Sequence, residues 1–375
     1  MTVLVLVLAL ALAFAGGFRF ARRDLERLHP SPLPPLAGTA SRIAFASGAG
    51  PESDAWQDAM KEIGAKLSAA NVRAIVFVHG TFTGTDPLSA IAAFERALPG
   101  SARGLARSLR KKTRAWLERI LGDVGNFSPA YVRSFERAIA NGDRPLIPCT
   151  SFLWSSENHH VGRLEGALGL ARVLATHADL ASDGLLASPR LLVVGHSHAG
   201  QVFALLTQLL ADTITTEAVL DVARARGLDV NALEHDLVLV RRVHVDFVTF
   251  GAPARYAWAS LPNVRALHVR SDGDLIHRLA GEGSDFPALD RIDRELNATL
   301  RSELGEERFA PSQVLAALTK EPSPPAHGDL VVVDYGKSTI KELFASGLGH
   351  GHYTRIDGML FHATLISERL YSETN

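Results

Sequence analysis

Apolar residues fall into two rhythms along this chain. Short apolar runs at 74–78, 191–194 and 330–333, with a related stretch at 264–269, predict buried strands. The stretch 145–154 is a further strand, ending in Trp154. Over Asp54–Ala69, Trp56, Met60, Ile63 and Leu67 recur at three- and four-residue spacing, which predicts an amphipathic helix. The small and apolar residues of Ala199–Leu210 read as a helix too, and another opens at His159 and His160 and runs to about His177. Helical patterns at 88–97, 102–121 and 129–141 make a helix-rich insertion over 84–145. A second insertion, 282–325, is charged and then proline-punctuated. Strands alternating with helices over a chain of 375 residues predict one large α/β domain, 41–375.

The most informative junction is Gly195-His196-Ser197-His198-Ala199-Gly200, directly between the 191–194 strand and the Ala199–Leu210 helix. A serine on a sharp strand-to-helix turn, with small residues two positions away on each side, is the layout of a nucleophile elbow. Ala199 stands where that motif usually has glycine, a departure of one methyl group. Two further segments complete the pattern. Val76-Phe77-Val78-His79-Gly80-Thr81-Phe82 is a strand ending in a His-Gly turn, and Phe247-Val248-Thr249-Phe250-Gly251-Ala252-Pro253 lies downstream of the serine.

Together these segments resemble the α/β-hydrolase superfamily, and the elbow and the Thr-Phe-Gly-Ala-Pro segment are similar to those of class 3 lipases. The resemblance covers about residues 73–365. It implies an α/β-hydrolase fold, a mostly parallel doubly wound sheet with a helical lid insertion. It also implies a Ser-His-Asp triad in the chain order serine, acid, histidine. Ser197 is the nucleophile in this reading. For the acid, Asp274-Leu275-Ile276-His277-Arg278-Leu279 is similar to the family's acid segment, which favours Asp274 over Asp272. For the base, Gly349-His350-Gly351-His352-Tyr353 sits where the last triad member belongs. A tyrosine three residues on favours His350, and His352 stays open one glycine away. His327, in a proline-rich loop, and His362, in the final helix, are weaker candidates.

A serine hydroxyl is a poor nucleophile unless a base takes its proton. The tetrahedral oxyanion that follows needs fixed N–H donors. The superfamily geometry assigns these to the backbone of His198 and of Thr81, with Phe82 next. His79 braces the turn rather than transferring protons. The reading is a serine hydrolase that cleaves carboxylic esters, lipid-type acyl esters first, through an acyl-enzyme. A thioesterase or amidase with the same triad, and a catalytically silent binding protein, are the alternatives.

Composition narrows this picture. The 39 basic and 40 acidic residues nearly cancel, so no global field points to nucleic acid. Cys149 is the single cysteine, which excludes a disulfide framework and a Cys-based zinc site and suits a buried structural thiol. His159 and His160 are adjacent, so on a helix their side chains diverge and cannot share one ion. No cofactor or metal is implied. Residues 2–18 carry no charge and Arg19, Arg22 and Arg23 follow at once. About 17 apolar residues lie at the lower edge of a membrane span. The reading is a single-pass anchor over 1–18 with the catalytic domain on the cytoplasmic side; a cleaved signal peptide ending near Ala13-Phe14-Ala15 is the alternative. An Arg/Pro-rich linker, 19–40, follows. The insertion at 84–145 is placed to be a lid. Its middle helix carries Arg103, Arg107, Arg110, Lys111, Lys112, Arg114 and Arg119, a solvated face or a contact for anionic headgroups.

Overall fold

The computed structural model describes residues 40–80, 127–140, 146–154, 160–181, 189–211, 229–252, 256–271, 328–336 and 351–372. A few isolated positions between them, Asp274 and Gly349 included, are also described. All belong to the unit Ala37–Asn375. Seven strands form one sheet: β1 (Ala40–Ala44), β2 (Val72–Val78), β3 (Cys149–Phe152), β4 (Arg190–His196), β5 (His244–Phe250), β6 (Val264–Arg270) and β7 (Asp329–Asp334). Their order is β1-β7-β6-β5-β4-β2-β3, and every neighbouring pair is parallel. The sheet is therefore wholly parallel among the described residues, where the sequence predicted a mostly parallel one.

The apolar runs are unbroken because helices cover both faces of the sheet. In β4, Leu191 and Val193 pack into one core and Leu192 and Val194 into the other, and β2 divides in the same way at Ala74, Val76 and Val78 against Ile75 and Phe77. Helices α3 (His160–Ala181), α4 (Ala199–Leu210) and α5 (Val230–Arg241) supply the first core. Helices α1 (Asp54–Ala69), α2 (Pro129–Ile139) and α6 (Met359–Leu370) supply the second. Connections running one way across the sheet carry α1 and α2, and those running the other way carry α3, α4 and α5. A single crossover hand then places the two sets on opposite faces. The direction reverses between β2 and β4, and at such a point a crevice opens beyond the carboxyl ends of the strands.

Local chemistry fixes where the helices begin. The Ser53 side chain accepts from Trp56 N–H at the head of α1, Ser128 accepts from Tyr131 N–H with Pro129 at the first turn of α2, and Asp229 accepts from Ala232 N–H at α5. Each such cap contributes about 1 kcal/mol. Helix α2 requires a correction. Its pattern belonged to the lid insertion predicted over 84–145, but Tyr131, Val132, Phe135, Ala138 and Ile139 are buried in the second core. Tyr131 and Phe135 meet Phe77 edge-on. The third helix of the insertion is thus part of the layer that covers the sheet. The first two, with the basic residues, lie outside the described residues, as do the insertion 282–325, the linker and the apolar segment 1–18. No helix among the described residues is long and apolar enough to cross a membrane.

Strands β1 and β5 and helix α5 carried no prediction, and two side-chain settings also went unforeseen. Cys149, predicted as a buried thiol, is half-buried in β3, and burial followed by the charge of Glu136 raises its thiol far above the ordinary value. Near the amino ends of β4, β5 and β6, Asp246 is fully buried. Arg190 donates to its two oxygens at 2.9 and 3.1 Å, Arg265 at 2.8 Å, and the Tyr371 hydroxyl at 2.9 Å. Burial pushes this carboxyl up, but the hydrogen bonds and charges of Arg190 and Arg265 outweigh it and hold the group below its ordinary value.

Candidate active site

The carboxyl ends of β2, β4, β5 and β6 gather the candidate residues. Strand β4 ends at His196, α4 starts at Ala199, and Ser197 between them has φ of +54°. A side chain other than glycine seldom adopts that region. The turn is pinned from β5: Ser197 N–H donates to the Phe250 carbonyl at 2.8 Å. Ala199 is fully buried in the elbow, and a Cβ on Gly195 would lie 2.9 Å from the Ala199 methyl and run into the edge of the Phe203 ring. The methyl that departs from the usual motif fits because Gly195 leaves room for it.

The His-Gly turn that ends β2 abuts the elbow. A Cβ on Gly80 would lie 2.8 Å from the Ser197 Cβ. His79 is buried and bonded on both ring nitrogens. Trp154 N–H donates to its Nε2 at 3.1 Å, so Nδ1 carries the proton and donates to the Gly80 carbonyl at 2.7 Å. The Trp154 indole N–H also donates to the His79 carbonyl at 3.0 Å. Burial lowers the His79 pKa against the pull of these bonds, so the ring is a neutral brace between β2 and the end of β3. Of the predicted oxyanion donors, His198 is the N-cap residue of α4. Thr81 and Phe82 lie outside the described residues.

Asp274 follows β6 and is fully buried. Its N–H donates to the Ser271 carbonyl at 3.2 Å, closing a tight turn, and its Oδ2 accepts the Tyr353 hydroxyl at 3.1 Å. The histidine loop lies directly on this turn. Gly349 has φ of +87°, and a Cβ there would run into the Gly273 carbonyl and come within 3.4 Å of the Asp274 Cα, so that position accepts only glycine. The chain thus brings the predicted acid and the predicted histidine loop together from 75 positions apart (349 − 274). Asp272, His350 and His327 lie outside the described residues. His352 is half-buried and stacks on Tyr335, with ring centres 5.1 Å apart and planes 13° apart. His362 is buried in α6, bonded through Nε2 to the Tyr335 hydroxyl at 2.7 Å, and burial brings its pKa down to about 3. It is a neutral packing residue against Phe250 and Tyr335.

Sequence reasoning missed the parts played by Trp154, Tyr335 and Tyr353. Only Tyr353 had a signal, as the aromatic that marked the histidine spacing. Among the described residues no three His, Cys, Asp or Glu side chains converge to hold a metal ion. Comparison of the chain with protein families, with curated proteins and with solved structures finds no match.

Proposed function

We propose that the chain is a serine hydrolase of the α/β-hydrolase fold, resembling class 3 lipases, that cleaves carboxylic esters. The observation that carries this reading is Ser197 itself: a non-glycine residue at φ of +54° between a central parallel strand and a helix. The strand order supports it. The serine follows β4, the acid follows β6 two strands along, and the histidine loop follows β7. In the reaction, Ser197 Oγ attacks the ester carbonyl while His350 or His352 takes its proton. The N–H of His198, with that of Thr81 or Phe82, holds the oxyanion, a contribution of about 2.7–4 kcal/mol per donor. The same histidine then protonates the departing alkoxide, leaving an acyl-enzyme that water cleaves by the reverse relay. Asp274 orients the imidazole and stabilises its cation. Lipid-type acyl esters are the substrate class, and the apolar segment 1–18 anchors the protein in a membrane with the catalytic domain on the cytoplasmic side. No cofactor or metal enters the scheme.

The test is covalent. A fluorophosphonate probe should modify the full-length protein once, with the adduct mapping to the peptide that contains Ser197. Ser197→Ala should fold normally, take no label and lose ester turnover. An adduct on another residue, or undiminished turnover in Ser197→Ala, refutes the scheme.

A further inference from the structure

Tyr353 is completely buried, and its hydroxyl donates to Asp274 Oδ2 at 3.1 Å. Three rings fix its own ring, each with its centre 5.8 Å away: Phe250 at the end of β5, His196 at the end of β4 and Tyr335 after β7. Phe250 is the residue whose carbonyl holds the Ser197 N–H. One buried phenol thus connects the acid turn to the strand ends that carry the elbow. Both residues are fully buried, so bulk water does not compete with the hydroxyl for the carboxylate. From this geometry we infer that Tyr353 is a positioning residue, whose hydroxyl occupies Oδ2 of Asp274 and so presents Oδ1 to the histidine base.

The inference rests on the hydrolase reading above and adds a residue to it. A packing role would need only the ring. The hydroxyl matters if the Asp274 carboxylate must hold one rotamer while its neighbour cycles between imidazole and imidazolium. Burial first, and then the Asp274 charge, raise the Tyr353 hydroxyl well above the usual tyrosine range, so it is a donor at every working pH. Removing it returns the charge it shared to the carboxylate. A more negative Asp274 stabilises the imidazolium, so the pKa of the base rises and the acidic limb of kcat/KM moves to higher pH. Two other groups near this cluster stay fixed across that limb. Burial, with the Asp274 charge, keeps Tyr335 well above its ordinary range, and burial keeps His362 at about 3. His196 faces the Tyr353 ring in both proteins, so its effect cancels in the comparison.

The experiment compares full-length wild type with Tyr353→Phe on a short, water-soluble ester across the pH range. We expect kcat to fall about tenfold with KM within about twofold, the loss of one charge-assisted hydrogen bond. We also expect the acidic limb to rise by about half a pH unit. A variant with wild-type kcat and an unmoved limb overturns the inference, whatever its Tm, and leaves the hydrolase reading standing. Wild type that neither labels with fluorophosphonate nor turns over the ester sinks that reading, and this inference with it. If Tyr353→Phe does not fold, 3-fluorotyrosine placed at 353 keeps the shape and strengthens the donor. The limb should then move down, and an unmoved limb again overturns the inference.

Discussion

A serine held at positive φ stores about 1–3 kcal/mol of backbone strain, and the residues around Ser197 explain how the fold sustains it. The Phe250 carbonyl fixes its N–H, Gly195 clears space for Ala199, and Gly80 lets the neighbouring turn close to van der Waals distance. Strain of this kind is useful only where a side chain must stand clear of the sheet. At the same scale the base can be assigned by a pair of substitutions. We expect His350→Gln to fall to background turnover and His352→Gln to keep a measurable fraction. His352 already has a partner in the stacked Tyr335 ring, and losing that stack should lower stability more than rate. Steady-state turnover with a urea melt of each variant checks this, and the reverse pattern moves the base to His352.

Among the elements, α1 and α4 have the bounds that their residue patterns predicted. In α1 the Ser53 cap and a clean apolar stripe left little choice. Strands β2, β4, β6 and β7 run a residue or two beyond their apolar runs, because ladder pairing continues through polar ends such as Arg190 and His196; β3, predicted over 145–154, is instead confined to Cys149–Phe152, the residues that pair with β2. Helix α2 was assigned to the wrong layer. An amphipathic stripe says that a face is buried but not what buries it, and the basic stretch before it suggested a lid. The elbow and the His-Gly turn were legible because each is local. The Tyr353–Asp274 bond joins residues 79 positions apart, and the Asp246 cluster is assembled by strand register together with Tyr371 at the end of α6. That cluster is testable. Asp246→Ala leaves Arg190 and Arg265 facing each other without their carboxylate and should cost about 3 kcal/mol in urea unfolding at neutral pH. The wild-type carboxyl is held below its unfolded value, so its contribution is complete above about pH 4 and fades as pH falls through the folded pKa. Asp246→Ala should accordingly lose less stability than wild type on going from neutral to acid pH, measured by the same urea midpoint.

The whole molecule joins a proposed membrane segment to a domain whose first strand starts at Ala40. We expect the full-length protein to sediment with membranes and to resist extraction by salt. A chain beginning at Ala37 keeps β1 intact and should stay in the supernatant while hydrolysing short esters. An uncleaved, freely soluble full-length protein would remove the anchor and leave the proposed hydrolase reading untouched. The position of β1 has a second consequence, which concerns time rather than place. Among the described residues its only strand neighbour is β7, with Ala40 paired to Leu330. This strand, once out of the ribosome, must therefore wait for about 290 more residues before its partner exists. At about 5–20 residues per second that wait is on the order of tens of seconds. Until then β1 lacks the partner strand that holds it in the sheet.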